Sequence, residues 1–399
     1  MPFRTLDDLD VAGKRVLVRV DLNVPIKNGQ VTDATRIDRQ APTLRELAEK
    51  GARVIVLSHF ERPQGKVVPE MSLRPIAPAL SRAIGRAVAF APDCAGPVAE
   101  TAVSKLQNGD VLLLENTRFH PGEEKNDPAF SKQLATLGDI YVNDAFSAAH
   151  RAHASTEGIA HLLPSAAGRS MQAELAHLER AIENPERPLM AVVGGAKISS
   201  KIAVLENLAA RVNVLVIGGA MANTFLSAQG IPIGRSLTEA DQIGIANRVI
   251  AAAESRGVKL LLPTDVVVAQ QLTANASSRI VAASQVEEDE MILDVGPRTI
   301  QAFGRELGRV KTVLWNGPLG AFETPPFDRG TTAAAKAVAE LTRAGKLLSV
   351  AGGGDTVAAL AHAGVERDFS YVSTAGGAFL EWLEGRTLPG VAALSIPSA

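Results

Sequence analysis

A chain of 399 residues exceeds the size at which one hydrophobic core usually keeps growing, so two domains are the first expectation. Lys plus Arg (41) nearly cancel Asp plus Glu (43), and a formal charge of -2 excludes a general electrostatic pull toward nucleic acid or anionic membrane. The single cysteine, Cys94, excludes an intrachain disulfide and argues against a cysteine-based structural metal site, so it reads as a small buried residue.

The first residues, MPFRTLDDLDVAG, carry charge from Arg4 onward and do not read as a secretory signal. No apolar stretch reaches the roughly 18 residues of a membrane span, and a cytoplasmic protein is expected. Short apolar runs follow at Val16–Val20, Val54–Leu57, Val111–Leu114 and Ile140–Val142, alternating with helical patterns over Arg39–Glu49, Leu73–Ile84 and Pro128–Leu137. Glu174–Glu183 then spaces Leu175, Leu178 and Ile182 along one helical face, before Asn184-Pro185 and Arg187-Pro188 punctuate the chain. The rhythm resumes with runs at Leu189–Val193, Val214–Gly218, Lys259–Pro263, Met291–Val295, Thr312–Trp315 and Lys346–Val350. Helices are predicted between them at Ser200–Ala209, Asp241–Arg256 and Thr331–Ala344. This alternation predicts an α/β protein of two Rossmann-like lobes with mostly parallel sheets. The lobes span residues 1–168 and 186–387, joined by a helix over 169–185, with a cleft between the carboxyl ends of their sheets. No fixed short period recurs, which disfavours a solenoid.

In the first lobe the strand ends are rich in cationic and small polar residues. VRVDLNVP (18–25) brings Asp21 and Asn23, SHFERP (58–63) brings His59 and Arg62, and LLLENTRFH (112–120) brings Arg118 and His120. YVNDAFSAAHRAHAS (141–155) adds His150, Arg151 and His153, and Arg36 follows the turn-like Asn28-Gly29. Post-strand positions of a parallel sheet converge on one edge, where gathered arginines repel each other unless an anion lies between them. Asp21 and Asn23 read either as a turn cap or as a grip on a ligand hydroxyl. No HExxH or compact carboxylate–histidine signature holds the histidines, so they are not expected to bind metal.

The second lobe reads as a nucleotide site without a Walker motif. VVGGAKISSK (192–201) is a strand, a double glycine, then Lys197 and Lys201 where a helix begins, a setting in which free amides and ammonium groups favour phosphate. VLWNGPLGAFE ends in Glu323, which suits a ribose hydroxyl or simply the surface. VAGGGDTVAAL places Gly353, Gly354, Asp355 and Thr356 before a helix, as a nest for phosphate oxygens. Asp355 reads as a ligand of phosphate-bound Mg²⁺, as a helix cap, or as both. GxxxxGK[ST], GxGxxG and the protein-kinase signatures are absent.

Taken in order, RVDLNVP, SHFERP, LLLENTRFHPGEEKN, YVNDAFSAAHRAHAS, GGAKISSK, LWNGPLGAFE, GGGDT and STAGGAFLEWLEG resemble the phosphoglycerate kinase family over nearly the whole chain. The resemblance implies a monomeric glycolytic enzyme moving a phosphoryl group between MgATP and the carboxylate of 3-phosphoglycerate. It implies acid binding by Asp21, Asn23, Arg36, His59, Arg62, Arg118 and Arg151, and nucleotide binding by Lys197, Lys201, Glu323 and Gly353–Thr356. Asp355 is then the Mg²⁺ ligand, Arg36 and Lys197 stabilise the transferring group, and residues 388–399 return to the first lobe. No nucleic-acid or membrane partner is implied. Against the family's usual SHLGRP and FGTAHRAH, this chain has Phe60-Glu61 and Ser147-Ala148; Ser200, Ala220 and Ala375 are further departures. A carboxylate acceptor is ionised near neutrality and needs no general base. A different small-molecule kinase and a silent nucleotide-binding scaffold are the competing readings, and Arg36, Lys197 and Asp355 weigh against the second.

Overall fold

The computed structural model describes residues 3–396. Its contacts divide the chain into two compact units, Met1–Ala176 with Thr387–Ala399, and His177–Arg386. Residues 1–2 and 397–399 of the terminal spans assigned above to the first lobe lie outside the described residues.

The first unit runs β1 (Arg15–Arg19), β2 (Ile26–Lys27), β3 (Gln30–Val31), α1 (Thr35–Glu49), β4 (Arg53–Leu57), α2 (Ala77–Ile84) and β5 (Val88–Ala91). It continues α3 (Gly96–Ser104), β6 (Val111–Leu114), α4 (Pro128–Ala135), β7 (Ile140–Asn143) and β8 (Ser165–Ala167). Six of these strands form one sheet in the order β5-β6-β4-β1-β7-β8, parallel throughout. Val16–Val18 and Val54–Leu57 are wholly buried, because helices cover both faces of a parallel sheet, and this produces the unbroken apolar runs in the sequence. Asn28 and Gly29, with φ of 51° and 73°, form the two-residue turn of the β2–β3 hairpin. The hairpin delivers the chain to α1, which starts earlier than the expected Arg39 and carries Arg36 on its first turn.

α5 (Arg169–Leu178) leads out of this unit and ends in a π-type turn over Glu179–Glu183. Its start is anchored: Arg169 pairs with Asp7 at 2.6 Å and Glu46 at 2.7 Å, and Asp144 accepts the Met171 N–H at 2.9 Å.

The second unit comprises β9 (Leu189–Val193), α6 (Ile202–Ala209), β10 (Val214–Ile217), α7 (Gly219–Ala228), α8 (Ile243–Ser255), β11 (Lys259–Leu261) and β12 (Asp265–Ala269). There follow β13 (Ser278–Ala282), β14 (Met291–Val295), α9 (Pro297–Leu307), β15 (Thr312–Asn316) and α10 (Arg329–Arg343). β16 (Leu348–Gly352), α11 (Gly354–His362), β17 (Tyr371–Ser373) and α12 (Gly377–Leu383) complete it. Its main sheet is parallel in the order β11-β10-β9-β15-β16-β17, so chain order reverses between β9 and β15. That reversal is the switch point at which open α/β sheets take ligands. The run at Met291–Val295 is a strand with the expected bounds, but it lies outside this sheet. It pairs antiparallel with β12 in a separate sheet ordered β13-β12-β14. The chain thus forms two Rossmann-like lobes of mostly parallel strands. Among the described residues, no helix is long and apolar enough to cross a membrane.

Candidate active site

In the first unit the sequence-predicted residues leave the carboxyl ends of neighbouring strands. Asp21 and Asn23 follow β1, His59 and Arg62 follow β4, Arg118 follows β6, and Arg151 lies beyond β7. Arg36 Nη1 donates to Asp21 Oδ2 at 2.9 Å and to the Asn23 carbonyl at 3.1 Å. The Asn23 N–H closes a turn onto Asp21 Oδ1 at 3.0 Å, so Asp21 caps its own loop while it holds Arg36. Ser147 Oγ donates to the same Asp21 Oδ2 at 2.5 Å. Ser147 stands where the family usually has glycine, and its hydroxyl supplies a contact that glycine lacks.

Arg118 is almost fully buried and donates to the Glu61 carbonyl at 2.7 Å, while the Glu61 N–H donates to Asn23 Oδ1 at 3.2 Å. Glu61 thereby bridges two candidate ligands through its backbone, at a φ of 52° that L-residues rarely adopt. Its side chain is exposed. Burial first, then the charges of Arg19, Arg118, His153 and Arg151, hold His59 well below the usual imidazole range. Burial and the same arginines push His153 down to about 3. The unit therefore collects arginines around two neutral imidazoles. Arg62 and Arg151 have exposed side chains, and Arg62 makes no hydrogen bond or ion pair among the described residues.

Two residues that sequence reasoning passed over belong to this cluster. Arg19, 1% exposed, donates through Nε to Ser155 Oγ at 2.8 Å, through Nη1 to the Val20 carbonyl, and approaches His59 Nδ1 at 3.0 Å. Ser155 in turn donates to the buried Glu123. The signal was an arginine closing a strand otherwise buried on both faces, a place no solvated side chain occupies. Ser147 is the second, and it was noticed only as a departure from the family pattern.

In the second unit, Lys197 and Lys201 follow β9, Glu323 follows β15, and Gly353–Thr356 follow β16, all at the carboxyl edge of three adjacent strands. The two lysines share no helical face, because α6 begins only at Ile202. Lys197 and Glu323 are exposed, and their side chains make no hydrogen bond or ion pair among the described residues. Lys201 instead turns inward and donates to the carbonyls of Gly194 at 2.7 Å and Asn316 at 3.2 Å, tying β9 to β15 across the switch point. Burial lowers its ammonium to about 8, against the opposing charge of Asp355.

The loops around it cross so closely that side chains have no room. A Cβ on Gly194 would lie 1.9 Å from the Pro318 carbonyl oxygen. Thr356 Oγ1 accepts the Gly317 N–H at 2.7 Å, and Asn316 Nδ2 donates to the Gly352 carbonyl at 2.7 Å. Gly353, at φ 99°, turns the chain into α11, whose first turn carries an exposed Asp355 beside unpaired helix-start amides. A lone exposed carboxylate next to an anion-receptive helix start fits Mg²⁺, which keeps several waters and arrives on phosphates.

A sequence model of the family described as phosphoglycerate kinase matches residues 6–386. The phosphoglycerate kinase of Rhodospirillum centenum is 62% identical over 394 residues, covering 99% of this chain and 100% of the relative. That of Azorhizobium caulinodans is 63% identical over 392 residues, covering 98% and 99%. Among solved structures, phosphoglycerate kinase from Coxiella burnetii is similar with a TM-score of 0.93 at 44% identity, covering 98% of this chain and 99% of that one. The Pyrococcus horikoshii enzyme is similar with a TM-score of 0.80 at 30% identity, covering 98% of each.

Proposed function

The chain belongs to the phosphoglycerate kinase family, and from that premise we propose how its own residues divide the work. The reaction is reversible, Mg²⁺-dependent phosphoryl transfer between ATP and the carboxylate of 3-phosphoglycerate, giving ADP and 1,3-bisphosphoglycerate, a step of glycolysis and gluconeogenesis. Residues 1–168 with 388–399 form the acid-binding domain, 169–185 the connecting helix, and 186–387 the nucleotide domain. The enzyme works as a cytoplasmic monomer.

The observation that carries the assignment is the arginine cluster at the first sheet's edge. Burial first, and then these cations, hold His59 and His153 below the usual imidazole range, so the edge gathers arginines around neutral imidazoles and suits an anion. Arg62, Arg118 and Arg151 hold the distant phosphate of the acid, His59 sets its position, and Asp21 and Asn23 grip the hydroxyl. In the second unit Lys197 faces solvent and reaches the transferring phosphate, Glu323 takes the ribose, and the Gly353–Thr356 amides take phosphate oxygens. Lys201 holds the crossing loops that present them. Asp355 is the residue to hold Mg²⁺, whose contribution when bound is neutralisation of phosphate charge.

No proton has to be removed from the acceptor, so the residues act by positioning and charge. We assign to Arg36 and Lys197 the stabilisation of charge spreading over the transferring oxygens. A coupled assay with ATP, Mg²⁺ and 3-phosphoglycerate, repeated without metal, tests the reaction. Arg36→Ala and Lys197→Ala test the roles. Each should cost about 3 kcal/mol of transition-state stabilisation with a smaller loss in ligand binding. A rate change below about twofold removes the residue from the catalytic set.

A further inference from the structure

Away from both phosphate sites, one group of metal-ligating side chains gathers where β5 and β6 end. These strands are parallel neighbours paired Ala91↔Leu114, so they leave the sheet at the same edge. Asp93 and Cys94 lie between β5 and α3, and His120 lies just past the turn after β6. One donor atom from each falls within 4.8 Å of the other two, the one such group among the described residues.

The parts are already held without an ion. His120 Nε2 is 2.7 Å from Asp93 Oδ1, and its ring stacks on Phe130 with centroids 4.8 Å apart. The Cys94 N–H donates to Asp93 Oδ1 at 2.7 Å. The Cys94 thiol is wholly buried and has no hydrogen-bond partner among the described residues, an unspent polar group facing a carboxylate and an imidazole. Asp93 and His120 are about one-third exposed (39% and 31%), so solvent reaches the site from their side, with the thiol at its back.

We propose that Asp93, Cys94 and His120 form a second metal site, suited to Zn²⁺ or a similar borderline divalent ion and distinct from the nucleotide's Mg²⁺. A mixed sulfur, nitrogen and oxygen donor set matches zinc and mismatches magnesium, which takes oxygen alone. Tetrahedral binding brings donors to roughly 3.5 Å from one another, a closure of about 1 Å, with water completing the fourth position. The ion displaces the thiol proton to solvent and replaces the His120–Asp93 hydrogen bond with two coordinate bonds. Its two positive charges balance Asp93 and the new thiolate, in a neighbourhood where Glu115 and Glu123 otherwise oppose a bare thiolate. Once bound, it staples the β5 and β6 loops two residues downstream of Arg118.

The test uses the full chain, freed of metal by chelator and without nucleotide. Titration with Co²⁺ should produce, at one equivalent, a near-ultraviolet thiolate-to-cobalt charge-transfer band and tetrahedral visible bands, both discharged by Zn²⁺ but not by Mg²⁺. Calorimetric Zn²⁺ affinity should fall at least about tenfold in Cys94→Ser and in His120→Gln, the scale on which even outer-shell partners act. A wild-type cobalt spectrum lacking the thiolate band overturns the proposal whether or not the variants fold. So does unchanged Zn²⁺ affinity in a folded Cys94→Ser.

Discussion

Replacing Gly317 with alanine tests whether the loop crossing at the second sheet's switch point is a rigid frame for the nucleotide site. Gly317 sits at φ 106°, and a Cβ there would lie 2.3 Å from the Gly194 oxygen, 2.5 Å from its carbonyl carbon and 2.9 Å from Lys201 Nζ. Ordinary contact begins at 3.4 Å, so one loop must move by about 1 Å. The backbone conformation costs a non-glycine residue about 1–3 kcal/mol, and forcing an atom into a packed contact costs about 1–3 kcal/mol more. The expected loss is therefore about 4 kcal/mol. It is concentrated on the Lys201 bonds to Gly194 and Asn316 and on the Gly317 bond to Thr356. With a urea slope of about 2–3 kcal/mol per molar, the midpoint for this unit should fall by about 1.5 M, and MgADP affinity measured by calorimetry should fall with it. Gly304→Ala is the control. It is an exposed glycine inside α9 with nothing within 4 Å of its added Cβ, and alanine should stabilise there by about 0.5–1 kcal/mol. If Gly317→Ala unfolds within about 0.3 M of wild type and binds nucleotide equally well, the crossing is not rigid and the role given to Lys201 fails.

Ser147→Ala removes one of the donors to Asp21, leaving Arg36 bound more tightly to that carboxylate and less free for ligand. Steady-state turnover should drop about threefold to tenfold with the nucleotide KM unchanged, and Ser147→Thr should restore it; equal activity in Ser147→Ala would show the contact to be incidental. Glu61→Gly relieves a positive φ and removes a negative charge beside the arginines, so it should lower the KM for 3-phosphoglycerate and not reduce stability; a raised KM would contradict the placement of that loop. Burial raises the Asp144 carboxyl from 3.8 to about 7. Below about pH 4 both states are protonated and nothing is lost; between about pH 4 and pH 7 the unfolded state gives up its proton while the native carboxyl keeps its own, so stability falls across that window and levels off above about pH 7. Between about pH 5 and pH 8 the gap in urea stability should shift by about 2–3 kcal/mol in favour of Asp144→Asn, and a pH-independent gap would refute the shift.

The strands buried on both faces were legible because covering a parallel sheet on two sides demands continuous apolar runs. Leu189–Val193 and Val111–Leu114 match the predicted bounds to the residue. The edge strands β5 and β8 were not, since Val88 and Ala89 are not buried and Ser165–Ala167 has little β character. Nor does a strand's composition say which sheet it joins. β14 reads like its neighbours yet pairs antiparallel with β12, because partner choice is a non-local property. In the site, charge and spacing showed which residues gather, but not which way each one faces. Lys197 and Lys201 differ by four positions, and one is exposed while the other is spent on main-chain carbonyls.

That difference in direction separates two jobs that the sequence merges. Each unit keeps a cation under its strand ends and satisfies it internally: Arg19 with the Val20 carbonyl and Ser155, Lys201 with the carbonyls of Gly194 and Asn316. These two cations are committed to holding main-chain carbonyls, and removing either leaves orphaned acceptors inside the fold. The cations that remain solvated, Arg62 and Arg151 in one unit and Lys197 in the other, can exchange water for ligand oxygens without breaking any internal bond. Arg36 lies between these cases: half-buried and held by Asp21, it must give up one charged partner to reach another. Under the role proposed for Arg36, Ser147 and the Asn23 N–H would keep Asp21 satisfied on its release and so couple that release to ligand arrival.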